Sequence, residues 1–110
     1  MALTIDQQRI ETTSEGFLCK KEDWSIVVGN ALAEAHGIEL TQEHWELILL
    51  LRSYCAHGNE PPSMREYAAL IRSELGADKA RSIYMMKLFG ASPAKMAARL
   101  AGLPKPKNCL

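Results

Sequence analysis

No run of apolar residues in this chain is longer than Leu47 to Leu51, far short of what a bilayer span requires. The first residues, Met1 to Arg9, lack a basic segment followed by an apolar block, so no signal peptide is read and the cytoplasm is the expected location. Glycine-rich phosphate loops, His-Glu-x-x-His and paired Cys-x-x-Cys are all missing, which removes the common nucleotide, zinc-protease and dithiol templates. The three cysteines, Cys19, Cys55 and Cys109, are odd in number and irregular in spacing. That argues against a disulfide framework and fits a reducing compartment. Acidic residues are missing altogether after Asp78. Up to that point lie all 13 of them, whereas Lys79, Arg81, Lys87, Lys95, Arg99, Lys105 and Lys107 follow it unopposed. A net charge of zero therefore hides an acidic front and a basic back. Such a back suits an acidic partner or a nucleic acid, and equally suits attraction between the two halves inside one fold.

What is present reads as one domain of 110 residues, mainly α. Leu3-Thr4-Ile5 and Arg9-Ile10-Glu11-Thr12 alternate around Asp6-Gln7-Gln8, predicting a short N-terminal β-hairpin within about residues 1–18. A first helix is expected from an Asp23 cap, with Trp24, Val27, Val28, Ala31, Leu32 and Ala35 inward and Gly37 as stop. A second runs from a Thr41 cap to about His57. Apolar residues around nearly its whole circumference predict that it is the buried centre. Pro61-Pro62 breaks the chain, and Ser63-Met64-Arg65-Glu66 is a capping box for a third helix ending at Gly76. A fourth is expected from about Asp78 with Ala80, Ile83, Tyr84 and Leu88 inward. A fifth opens on Ser92-Pro93, is rich in alanine and stops at Gly102. The fold class is thus a small helical bundle with a helix-turn-helix-like core, a front hairpin and an extended C-terminal arm. Residues 1–102 form the domain and 103–110 a mobile arm, because Pro104 and Pro106 exclude helix.

Few residues carry chemistry. Cys55-Ala56-His57 has no second ligand pair, so no metal site is expected, and Cys55 on an apolar helix reads as a small core residue. Cys19 lies beside Lys20 and Lys21, which favour a thiolate. Cys109 stands on an arm expected to have no core to join, with Lys105 and Lys107 nearby. A thiol on a reaching arm suits a group that enters one deep site, accepts a sulfane sulfur by thiolate attack, and enters another to release it. A tail cysteine without function is the other reading of the same residues.

Leu88-Phe89, Pro93-Ala94-Lys95, Ala101-Gly102-Leu103-Pro104-Lys105-Pro106 and Cys109, with Gly16-Phe17-Leu18, Trp24 and Thr41 to Trp45, resemble the TusE/DsrC family of sulfur-relay proteins. The resemblance implies that Cys109 is the catalytic residue and carries a transient persulfide, with no other cofactor. It also implies that Gly102, Leu103, Pro104, Lys105, Pro106 and Lys107 form a partner-docking arm. The implied donor is a TusBCD/DsrEFH-type complex. In the TusE branch the acceptor is a tRNA 2-thiouridylase, with tRNA reached indirectly. In the DsrC branch a second arm cysteine takes part, and its position here is Ala98. That departure favours the one-cysteine relay. A DsrC-like carrier or a regulatory paralogue in dissimilatory sulfur metabolism is the alternative. A helix-turn-helix DNA regulator is another, built from Ser63–Leu75, Gly76-Ala77-Asp78 and a second helix bearing Lys79, Arg81, Ser82 and Lys87. A pI of about 6.8 is low for a DNA binder, so DNA is not an expected partner, and neither is a membrane.

Overall fold

The computed structural model describes residues 1–107. A hairpin, β1 (Ala2–Ile5) and β2 (Gln8–Glu11), is followed by α1 (Ile26–Ala35), α2 (Gln42–Ala56), α3 (Met64–Leu75), α4 (Ser82–Phe89) and α5 (Pro93–Leu100). The strands pair antiparallel with Leu3 opposite Ile10 and Thr4 opposite Arg9, so the apolar pair turns toward the body. The two-residue turn Asp6-Gln7 takes positive φ at both positions (49° and 67°), the hand that matches strand twist. A glutamine is strained there. Gln7→Gly is expected to stabilise the protein by about 0.5 kcal/mol in denaturant unfolding; lower stability would contradict this turn.

The fifth helix, not the second, is the hub. Its small residues Ala94, Ala97, Ala98 and Ala101 are buried, and α1, α2, α3 and α4 all pack against it. Alanines let four neighbours approach one short helix, whereas the larger residues of α2 serve one side. Leu47, Ile48 and Leu51 are buried on α2, but Leu49 is 48% exposed. The same selection corrects two other helices. On α1 the inward residues are Val28 and Leu32 while Val27 faces out, and on α4 Met85 and Phe89 are inward while Ile83 is 79% exposed.

Side chains cap α1, α2 and α3, whereas α4 and α5 begin without a side-chain cap. Ser63 Oγ accepts from Glu66 N and Glu66 Oε1 accepts from Ser63 N, closing the expected capping box. Thr41 N donates to His44 Nδ1 at 3.0 Å, while His44 Nε2 meets Leu88 O at 2.7 Å. That pairing fixes the Nε2–H tautomer and ties α2 to the end of α4. Asp23 does not cap α1. It closes a short 3-10 turn, Lys21–Asp23, and Ser25 Oγ caps α1 by accepting from Val28 N.

Residues 76–81 separate α3 from α4, so Lys79 and Arg81 precede the helix expected to carry them. Lys79 is bound to Glu46 of α2. A recognition helix bearing all four polar residues is therefore not formed; Ser82 and Lys87 alone lie on α4, beside exposed Ile83 and Met86. No helix among the described residues is long and apolar enough to cross a membrane.

Candidate functional site at the root of the C-terminal arm

Cys109 lies outside the described residues, so its geometry is approached from the segment that leads to it. That segment leaves α5 through a Schellman turn. Gly102 N donates to Arg99 O at 3.2 Å and Leu103 N to Ala98 O at 3.0 Å, with Gly102 at φ +72°. The carbonyls left without helical partners at the end of α5 are then taken by side chains from far away in sequence. Trp24 Nε1 donates to Leu100 O at 2.9 Å, and Arg52 Nη1 donates to Ala101 O at 2.6 Å. The Arg52 guanidinium lies 3.8 Å from the Trp24 ring centroid, and Trp24 meets Trp45 edge-on at 6.3 Å. A cation at a helix C-terminus is also favoured by the helix dipole. Gly29 of α1 makes room for this pair of indoles, since a Cβ there would sit 3.0 Å from Trp45.

Three residues thus form a clamp on the arm's root: an indole, a guanidinium stacked on it, and a glycine beneath it. Arg52→Met removes one charged hydrogen bond and the stacking, and is expected to cost about 2 kcal/mol in chemical denaturation. Arg52→Lys should recover little of it, because an ammonium lacks the planar stacking face. Full recovery by lysine would mean that charge alone holds the root.

Beyond the clamp the arm runs along the body. The expectation that nothing from Leu103 onward reaches the core is corrected here: Leu103 is 9% exposed within the core and Pro106 is buried, while Pro104, Lys105 and Lys107 face out. Lys105 Nζ is 3.2 Å from Glu15 and Lys107 Nζ is 3.0 Å from Glu60. Lys95 also bonds Glu15, at 3.0 Å. With Lys79–Glu46, these pairs show where the charge asymmetry goes, since each joins the basic back of the chain to its acidic front. Lys95 and Lys105 hold the Glu15 carboxyl below its ordinary range. The contact is therefore complete above the ordinary carboxylate pKa and is released as pH falls through the lowered one.

The other two cysteines sit differently. Cys19 is exposed, next to the bridge between Thr12 and Leu18. Cys55 is half-buried against the core, and burial pushes its thiol above the usual value while Arg52 opposes this. A thiol held protonated is a poor acceptor of sulfur. Cys55 also borders a cavity of about 630 Å³ roofed by Leu103, Pro104, Lys105 and Lys107. The sequence reading missed Arg52, Glu15 and Glu60. Only the charge asymmetry pointed toward the last two, and nothing local marked Arg52 at the end of an apolar run.

The family model described as "DsrC like protein" matches residues 4–110. A sulfurtransferase TusE of Buchnera aphidicola is 41% identical over 94% of this chain and 90% of its own length. Sulfurtransferase TusE of Escherichia coli is 36% identical over 98% of this chain and 99% of its own. Among solved structures, Allochromatium vinosum DsrC superposes with a TM-score of 0.89 at 37% identity, covering all of both chains. The oxidized gamma-subunit of the dissimilatory sulfite reductase (DsrC) from Archaeoglobus fulgidus gives 0.85 at 35%, again over both full chains. A Schellman exit from an alanine-rich hub helix, an arm that continues past it, and kinship over nearly every residue lead to one assignment: the chain belongs to the TusE/DsrC family.

Proposed function

We propose that this protein is a sulfur carrier. Cys109 accepts a persulfide sulfur from a TusBCD/DsrEFH-type donor complex in the cytoplasm and passes it to a tRNA 2-thiouridylase. The observation that carries this reading is the family match through residue 110, which includes Cys109, together with the TusE relatives at 36–41% identity. The chemistry balances simply. The Cys109 thiolate attacks the outer sulfur of the donor's persulfide, the S–S bond there breaks, and the donor leaves as a thiolate. The same exchange in reverse roles delivers the sulfur to the acceptor. No further cofactor or metal enters either step.

The chain's own structure supports a carrier by holding the root of the arm. Clamped at Leu100 and Ala101, the arm presents Lys105 on a partly exposed ion pair and Lys107 on a largely exposed one. Such pairs exchange readily for acidic groups on a partner. Lys105→Gln with Lys107→Gln is therefore expected to slow association with the donor several-fold at low salt, with the difference fading at high salt. Equal association rates in low salt would remove the lysines from docking.

A DsrC-like role in dissimilatory sulfur metabolism is the second reading, favoured by the solved Archaeoglobus fulgidus relative, a gamma-subunit of the dissimilatory sulfite reductase. Against it, Ala98 is fully buried on α5 and offers no second thiol. The two readings separate in a strain deleted for its own TusE. Restored 2-thiouridine in tRNA on expression of this chain, and none with Cys109→Ser, supports the relay to tRNA. Loading of Cys109 without any 2-thiouridine would move the acceptor to the dissimilatory branch.

A further inference from the structure

Away from the arm, Lys87, Lys95 and Arg99 border one depression of about 490 Å³ where α4 meets α5. His36, Ile38 and Met96 also line it, and the Glu15 carboxylate, outside the lining, reaches Lys95 at 3.0 Å. Arg99 is the unusual member. It is only 9% exposed, its Nε is buried with no hydrogen-bond partner, and its Nη1 reaches only the Met96 sulfur at 3.4 Å. Its guanidinium also lies 4.9 Å from the Phe17 ring centroid, which supplies a face but no counter-charge. Glu15 acts on Arg99 only through space, with no hydrogen bond to it, and a buried guanidinium without a bonded anion is a standing cost in a fold.

A second feature points the same way. The α5 helix begins at this depression, with Ser92 as its cap residue and Pro93 at its first position. The Ser92 side chain makes no capping hydrogen bond, and the first α5 amide bonded within the helix is Met96 N, to Ser92 O. The amides of Ala94 and Lys95 are therefore left facing the helix start, where the dipole favours negative charge. His36 reports the same field: burial lowers its pKa, and the Arg99 charge lowers it further.

We infer that this cavity binds a small tetrahedral oxyanion of the phosphate or sulfate type, free in solution or as the phosphate of a mononucleotide. Arg99 is the fixed, desolvated end of the site, Lys87 and Lys95 close over the anion, and Ile38 and Met96 keep the surroundings of low dielectric. Lys95 is shared with Glu15, so binding draws it from that carboxylate. The site's lining is drawn from described residues alone, and its test is independent of the sulfur-carrier reading because it can be run on Cys109→Ser protein.

The test is a titration of the ¹⁵N-labelled full chain with sodium phosphate, against sodium chloride at matched ionic strength. The expected result is saturable shifts confined to amides of residues 87–99 and of His36. Lys87→Ala should weaken binding about threefold, and Arg99→Met about tenfold or more. Adenosine monophosphate replaces phosphate in a parallel series. Tighter binding than phosphate identifies a mononucleotide as the source, and equal or weaker binding identifies the free ion. Shifts that do not saturate, or that spread over the basic surface, overturn the proposal. Should Arg99→Met fail to fold, Lys87→Ala and Lys95→Ala decide, and unchanged affinity in both overturns it.

Discussion

Replacing Gly102 by alanine is expected to destabilise the protein by about 2–4 kcal/mol, a large effect for a single added methyl. Two physical causes add. Gly102 holds φ at +72°, a conformation that costs an L-residue about 1–2 kcal/mol. A Cβ there would also sit 2.6 Å from Trp24 Cγ and collide with Cδ1 of the same ring. Trp24 cannot simply move aside, because its Nε1 is bonded to Leu100 O and its face carries the Arg52 guanidinium. Gly37 provides the comparison. It has nearly the same φ, +74°, and nothing within 4 Å of where its Cβ would lie. Gly37→Ala should therefore show the backbone cost alone, about 1–2 kcal/mol. The difference between the two variants measures the steric term. Equal losses would mean that the clamp on the arm's root is loose.

Loosening that clamp also bears on transfer. If the root is what aims the arm, Gly102→Ala should slow sulfur acceptance at temperatures where the protein is still folded.

How much of this could be read from residues alone follows from the range of the interactions. Local signals were sufficient for Ser63-x-x-Glu66, where cap and partner are three residues apart, and for the hairpin pattern around Asp6. They failed where a distant residue chooses between two local options. Asp23 and Ser25 are both good caps, and Ser25 caps α1 because the chain turns once at Lys21–Asp23 and Trp24 is drawn to Leu100 O. Ile83 and Met85 are both apolar on one short helix, and packing against α5 selects Met85. The hub role of α5 was hidden because alanine gives a weak hydrophobic pattern while allowing the closest approach of neighbours. For the arm, two prolines correctly exclude helix. They carry no information on the burial of Leu103, which depends on Trp24 and Arg52. Cys109 was singled out by the sequence around it and by family resemblance, and it lies outside the described residues.

The second large effect is complete. Cys109→Ser is expected to abolish sulfur acceptance while shifting unfolding free energy by less than about 0.5 kcal/mol. A hydroxyl cannot attack a persulfide at neutral pH, so no residual activity is expected from the serine. Compensation by another thiol is not expected either. Cys55 is half-buried with its thiol held up by burial, and it sits on the body of the fold. Cys19 is exposed but lies beside the hairpin, on no arm.

The most direct measurement is mass spectrometry of the intact protein and its C-terminal peptide after incubation with a persulfide donor, wild type beside Cys109→Ser. A sulfur carrier shows one added sulfur on the peptide containing Cys109, removed by a thiol reductant and absent from the variant. No added sulfur on that peptide, or sulfur found on Cys19 or Cys55 and retained in Cys109→Ser, would contradict the assignment of Cys109 as the carrier.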